Sequence, residues 1–285
     1  MNYMSNSILA YIPQSTVGKT VLKQILQFQS SLKMRIFILH ILKQPSSLFS
    51  GFQSKKNETI TSKAKQKLID LIEQTTSETL RDEYIPRIQT GETVSTLIKE
   101  SKKGGYDFLA LDKNESGLKK TEINKLINRS HCPVLLTNKN FPFKKVKQII
   151  IPIDISQTTK KRLFWATFFA KKFNAKIKIV SALNIDINET KSLARRNADK
   201  LKTMLQERGI ECEVKILKMY SMKHKVILDY IREEHPEMVI IRTHQESLFA
   251  DRRIGQFVSE IVHGCEVPVF TVGNATLPLE ETGDL

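Results

Sequence analysis

The chain is written twice. SILAYIPQS, from Ser7 to Ser15, lines up with QIIIPIDIS, from Gln148 to Ser156, and MRIFILHIL at Met34 lines up with AKIKIVSAL at Ala175, both at an offset of 141 residues. Two matches in one register argue for duplication, and two more keep the order. FLAL at Phe108 answers MVII at Met238, and HCPVLLTNKN at His131 answers CEVPVFTVGN at Cys265. A repeat of roughly 140 residues is long enough to bury a core of its own, so the 285 residues are expected to form two domains of one kind.

Each unit reads as five apolar strands alternating with four amphipathic helices. Val21, Ile25, Phe28 and Leu32 recur at helical spacing after the first strand of unit one, and Leu163, Ala166, Ala170 and Phe173 do so in unit two. The strands are short unbroken apolar runs, the pattern of parallel strands covered on both faces, and strand–helix alternation implies right-handed crossovers. The expected fold is therefore α/β, with two doubly wound parallel five-stranded sheets in tandem. Asn138 to Lys147, with its Pro and its charges, reads as the linker. The domains are drawn at 1–140 and 141–277, followed by a tail at 278–285. So short a linker leaves the two packed side by side. Trp165, Phe168 and Phe169 widen the apolar stripe of their helix, which fits either core packing or a face that meets the other domain or another chain.

Composition narrows the function classes. The longest apolar runs fall short of the roughly 18 residues of a membrane helix, and the opening residues do not resemble a signal peptide, so the expected place is the cytoplasm and no membrane partner is expected. Cys132, Cys212 and Cys265 are scattered and form no CxxC pair, which reads as reduced thiols. Cys132 could sense oxidants only if its acidity were raised. The formal charge of +15 invites a nucleic-acid or anionic-surface partner, but its short clusters are spread along the chain without an aromatic RNA-binding signature or a Cys/His finger, so solvated helix faces are the simpler reading.

IIIPID ends a first strand in Asp154, and HCPVLL at His131 and EVPVFTV at Glu266 introduce the last strand of each unit. In these motifs, repeated in order, the sequence resembles the universal stress protein family. The resemblance implies an adenine nucleotide alpha hydrolase-like fold and, in many members, a loop of pattern Gly-x2-Gly-x9-Gly-Ser/Thr that closes its amides on ATP phosphates. Glycine permits that close approach and a helix N-terminus adds positive charge. Counting back from Pro268 places Arg242, Gln245, Gly255 and Gln256 at the motif positions of unit two, so one glycine survives. With Asp154 and Ala182, these are the residues the resemblance would place around a nucleotide. In unit one the loop from Asp112 to Pro133 is five residues shorter, Asn114, Gly117 and Thr121 do not fit the pattern, and Pro13 stands where unit two has Asp154. Unit one is expected not to bind.

Other motifs are weaker. STVGKT at Ser15 follows a strand, with Asp112 as a strand-end acid, but a phosphate loop would need glycine where Pro13 stands, so a helix start is the expectation. The six histidines form no HExxH or similar pair, and no nucleophile elbow is present, so neither metal nor catalysis is expected. The resulting expectation is a non-enzymatic stress-response regulator that acts through protein partners, as a homodimer or an intramolecular pseudo-dimer, with nucleotide binding weak or lost. The alternatives are an ATP or AMP switch using unit two alone, and a basic nucleic-acid- or membrane-surface binder.

Overall fold

The computed structural model describes residues 7–13, 18–43, 54–76, 83–103, 105–141, 145–153, 160–220, 222–243 and 254–273. Unit one supplies β1 (Ser7–Tyr11), α1 (Gly18–Leu32), β2 (Arg35–Leu42), α2 (Ser54–Thr76), β3 (Tyr84–Thr90), α3 (Thr93–Lys103), β4 (Phe108–Asp112), α4 (Lys120–Arg129) and β5 (Val134–Thr137). Unit two repeats the order with β6 (Gln148–Pro152), α5 (Lys160–Phe173), β7 (Lys176–Asn184), α6 (Leu193–Gln206), β8 (Cys212–Met219), α7 (Lys223–Glu234), β9 (Met238–Arg242), α8 (Gln256–Gly264) and β10 (Val269–Val272). The tail drawn at 278–285 lies outside the described residues.

The repetition extends to single residues. β1 pairs with β2 in parallel from Ser7 opposite Arg35, and β6 pairs with β7 from Gln148 opposite Lys176, the same spacing in both units. The turn after α1 uses Lys33 at φ 54°, and the turn after α5 uses Asn174 at φ 54°, again 141 positions on. That left-handed step stops each helix and aims the chain into the next strand.

Alternation along each strand divides the core. Ile8, Ala10 and Ile12 face α1 and α2, whereas Leu9 and Tyr11 face α3 and α4; the helices of unit two divide in the same way. The eight helical positions read from periodicity are all buried. Each sheet is thus doubly wound, as expected.

The two sheets do not stand apart. Their strand order is β3-β2-β1-β4-β5-β10-β9-β6-β7-β8, one sheet of ten strands. It is parallel except at the join, where β5 and β10 run antiparallel with Leu135 opposite Phe270. Those two residues hold the same place in their strands, so a pseudo-twofold axis passes between them. On one face α1 packs on α5: the Phe28 ring lies 5.9 Å from Phe169, its repeat equivalent, and 5.3 Å from Phe173. Phe108 meets Phe270 at 5.6 Å and Trp165 at 6.2 Å. Trp165 and Phe169 are therefore core residues and interdomain contacts at once. Edge-to-face pairs of this kind each add about 0.5–1.5 kcal/mol beyond the area they bury.

On the other face Asn124 of α4 donates to Ser259 Oγ of α8 at 2.9 Å, and its Oδ1 meets His263 Nε2 at 2.8 Å. Lys113, which follows β4, is buried and sends its ammonium to the carbonyls of Val262 and Cys265, capping α8 from the other unit. A cation at a helix C-terminus is favourable, although burial lowers the affinity of this amine for its proton. Gln24 completes the join by donating to the carbonyls of Asn138, Lys139 and Phe141, which pins the linker against α1.

Candidate functional site

Ligands of doubly wound sheets bind where the strand order reverses, at the carboxyl ends of the strands. That point lies between β1 and β4 in unit one and between β6 and β9 in unit two. Both units secure the last carbonyl of the central strand from its neighbour. His40 Nδ1 meets Ile12 O at 3.0 Å, and Ser181 Oγ donates to Ile153 O at 3.0 Å, from repeat-equivalent positions. A carbonyl can only accept, so the Nδ1 of His40 carries the proton.

In unit one the crevice is closed from within. Asp112 ends β4 fully buried, and its Oδ1 accepts the amides of Asn114 and Glu115, both at 2.9 Å. Its Oδ2 accepts the Thr137 hydroxyl at 3.3 Å. Burial raises the affinity of this carboxyl for its proton, and the two amides oppose that rise. Glu122 meanwhile reaches back to the Lys119 amide at 2.7 Å, at the start of α4. Amides that a phosphate loop would turn towards an anion are here held by the chain's own carboxylates.

In unit two the corresponding helix start shows no such capture among the described residues. Gly255 precedes α8 at φ −64° and ψ 153° and as a glycine supplies no capping side chain, and among the described residues nothing lies within 4 Å of a Cβ built on it. Gln256 opens the helix, Arg242 ends β9, and Ala182 is buried near the end of β7. Lys223, at the start of α7, holds its ammonium 5.6 Å from the Phe257 ring. The structure thus brings Ala182, Arg242, Gly255 and Gln256 to one edge of unit two. Asp154 and Gln245, with Arg252 and Arg253, lie outside the described residues, as do Ser15 to Val17 of the STVGKT segment.

The roles of Asp112, Glu122 and Lys113 escaped the sequence reading. Asp112 followed two residues later by Asn114 is a local turn signal that could have been recognised. The reach of Lys113 into unit two had no such signal, because it depends on how the units join. All three thiols are buried, which pushes Cys132 and Cys212 up to about 12 and Cys265 up to about 11 and removes thiolate reactivity at neutral pH. Among the described residues no three His, Cys, Asp or Glu side chains come together as a metal site, and no helix is long and apolar enough to cross a membrane.

Residues 145–273 match the model of the universal stress protein family. Unit two is a universal stress protein domain. The structure of a universal stress protein from Archaeoglobus fulgidus DSM 4304 superimposes with a TM-score of 0.70 at 19% identity, covering 96% of this chain and 98% of that one. A functionally unknown protein from Pseudomonas aeruginosa PAO1 superimposes with a TM-score of 0.61 at 15% identity, covering 96% and 95%. No curated protein matches the sequence. Since the superposition on the Archaeoglobus universal stress protein covers 96% of this chain, unit one shares that fold even though the family model matches unit two.

Proposed function

We propose that the chain is a tandem stress-response regulator that works by binding protein partners in the cytoplasm and not by catalysis. Its units are divided as 1–140 and 141–277. Nucleotide binding is lost in unit one and weak or lost in unit two. The observation that carries this reading is the self-closure of unit one, where Asp112 takes the loop amides that would otherwise meet a phosphate. A buried carboxylate at that point also repels an incoming anion. In unit two the loss of two motif glycines removes close backbone approach, which arginine charge does not replace.

A second reading, an ATP- or AMP-responsive switch in unit two, is favoured by one feature. The start of α8 has a glycine at its cap position with no described residue within 4 Å of a Cβ built there, which among the described residues leaves its helix-end amides available to an anion. In this reading Asp154, Ala182, Arg242, Gln245, Gly255 and Gln256 surround the nucleotide. Thermal unfolding with and without ATP separates the two. The expected result is a midpoint that ATP leaves unchanged; a rise abolished by Asp154→Ala would establish the switch instead.

A further inference from the structure

Of the six large apolar side chains that are exposed among the described residues, five stand at one corner of unit two. Ile185 and Ile187 follow β7, Leu193 opens α6, and Tyr220 and Met222 follow β8, with exposures from 40% at Ile185 to 85% at Tyr220. β7 and β8 are paired as far as Asn184 opposite Met219, so the two loops leave the sheet side by side. The Ile185 amide donates to Met219 O at 3.3 Å and Lys218 Nζ to Ile187 O at 2.9 Å, which holds the loops together. Five exposed apolar side chains on two neighbouring loops and the helix starts that follow them, where the described residues show one more elsewhere, mark a contact surface.

Its surroundings are basic. The stretches 185–196 and 215–225 carry seven Lys and Arg against two carboxylates, Asp186 and Glu189. Glu189 is engaged by Arg195 at 2.9 Å, while Lys191, Arg196, Lys218 and Lys225 are exposed. The partner must therefore combine negative charge with an apolar layer.

We propose that this corner docks on an anionic lipid surface. The apolar side chains sit on two neighbouring loops and a helix start at the outer edge of the sheet, where β8 is the last strand. A protein partner would need a matching hollow and an interface of about 800 Å² on each side. A bilayer asks for no such match: Ile, Leu and Met enter the acyl boundary, Tyr sits among the headgroups, and the lysines meet the negative surface. The contact is peripheral. Its side chains are none of those assigned to the nucleotide, although both sets lie at the carboxyl edge of unit two, where Lys223 beside Met222 reaches the Phe257 ring.

Co-sedimentation of the full chain with vesicles tests the proposal. The protein is expected to pellet with phosphatidylcholine–phosphatidylglycerol vesicles at low salt and to stay in solution with phosphatidylcholine alone. Tyr220→Ser with Met222→Ser, and separately Ile185→Ser with Ile187→Ser, should each weaken partition roughly tenfold, since each removes two inserting side chains. Lys23→Ala with Lys102→Ala, which removes two charges from exposed positions of unit one and no apolar side chain, should change it little. Unchanged thermal midpoints establish that the variants are folded, as expected for exposed positions. Failure to pellet with either vesicle overturns the proposal and leaves the corner to a protein partner. Pelleting that both apolar pairs leave intact also overturns it, because binding would then be a property of net charge alone.

Discussion

His40 shows how a single buried residue couples this fold to pH. Burial lowers its affinity for a proton below that of an ordinary histidine, and the bond to Ile12 O only partly opposes this. The unfolded chain, with a histidine pKa of about 6.5, therefore binds more protons than the folded chain as the pH falls. Stability is full above that value and is lost as pH falls from about 6.5 towards the lower folded value. His263, also held low by burial, adds in the same direction. His40→Gln is expected to flatten the fall in urea midpoint between neutral pH and about pH 5, leaving the His263 part. A profile that stays as steep as the original would show that His40 does not carry the effect.

At the scale of elements, α8 separates structural need from ligand need. Gly255 sits in the extended conformation of an ordinary helix cap, not in the left-handed region, and among the described residues nothing lies within 4 Å of where a side chain would be. No contact among the described residues requires glycine there. Gly255→Ser should supply the missing cap and raise stability by up to about 1 kcal/mol in urea unfolding, with a loss of stability as the result that contradicts it. The strands and helices were legible because apolar runs and 3.6-residue spacing are local, and the offset of 141 gave unit one and unit two the same order. The site was legible only as a count of motif positions: Arg242 and Gly255 could be placed, but the capture of loop amides by Asp112 depends on a fold that buries that carboxyl. What the sequence could not display was the pairing of β5 with β10, since neither strand's pattern states which edge it will meet.

That pairing decides what kind of object the whole molecule is. Val269, Phe270 and Thr271 oppose Leu136, Leu135 and Val134, and the pair at the centre consists of equivalent residues. The chain therefore uses within itself the contact by which two copies of one such domain would form a symmetric dimer. The aromatic pair Phe28–Phe169 and the α4–α8 contact at Asn124 and Ser259 follow the same axis, one on each face of the sheet. An isolated unit two would expose the β10 edge together with Phe169, Phe173 and Trp165, an apolar face beside unpaired backbone groups, which costs too much to leave in water. Antiparallel pairing of β10 with β10 would cover both, with Phe270 facing Phe270 where Leu135 now stands. Residues 141–285 expressed alone are thus expected to form a dimer by light scattering, and the dimer should dissociate and unfold together in urea. A stable folded monomer would mean that the join is an incidental contact and that each unit closes its own core.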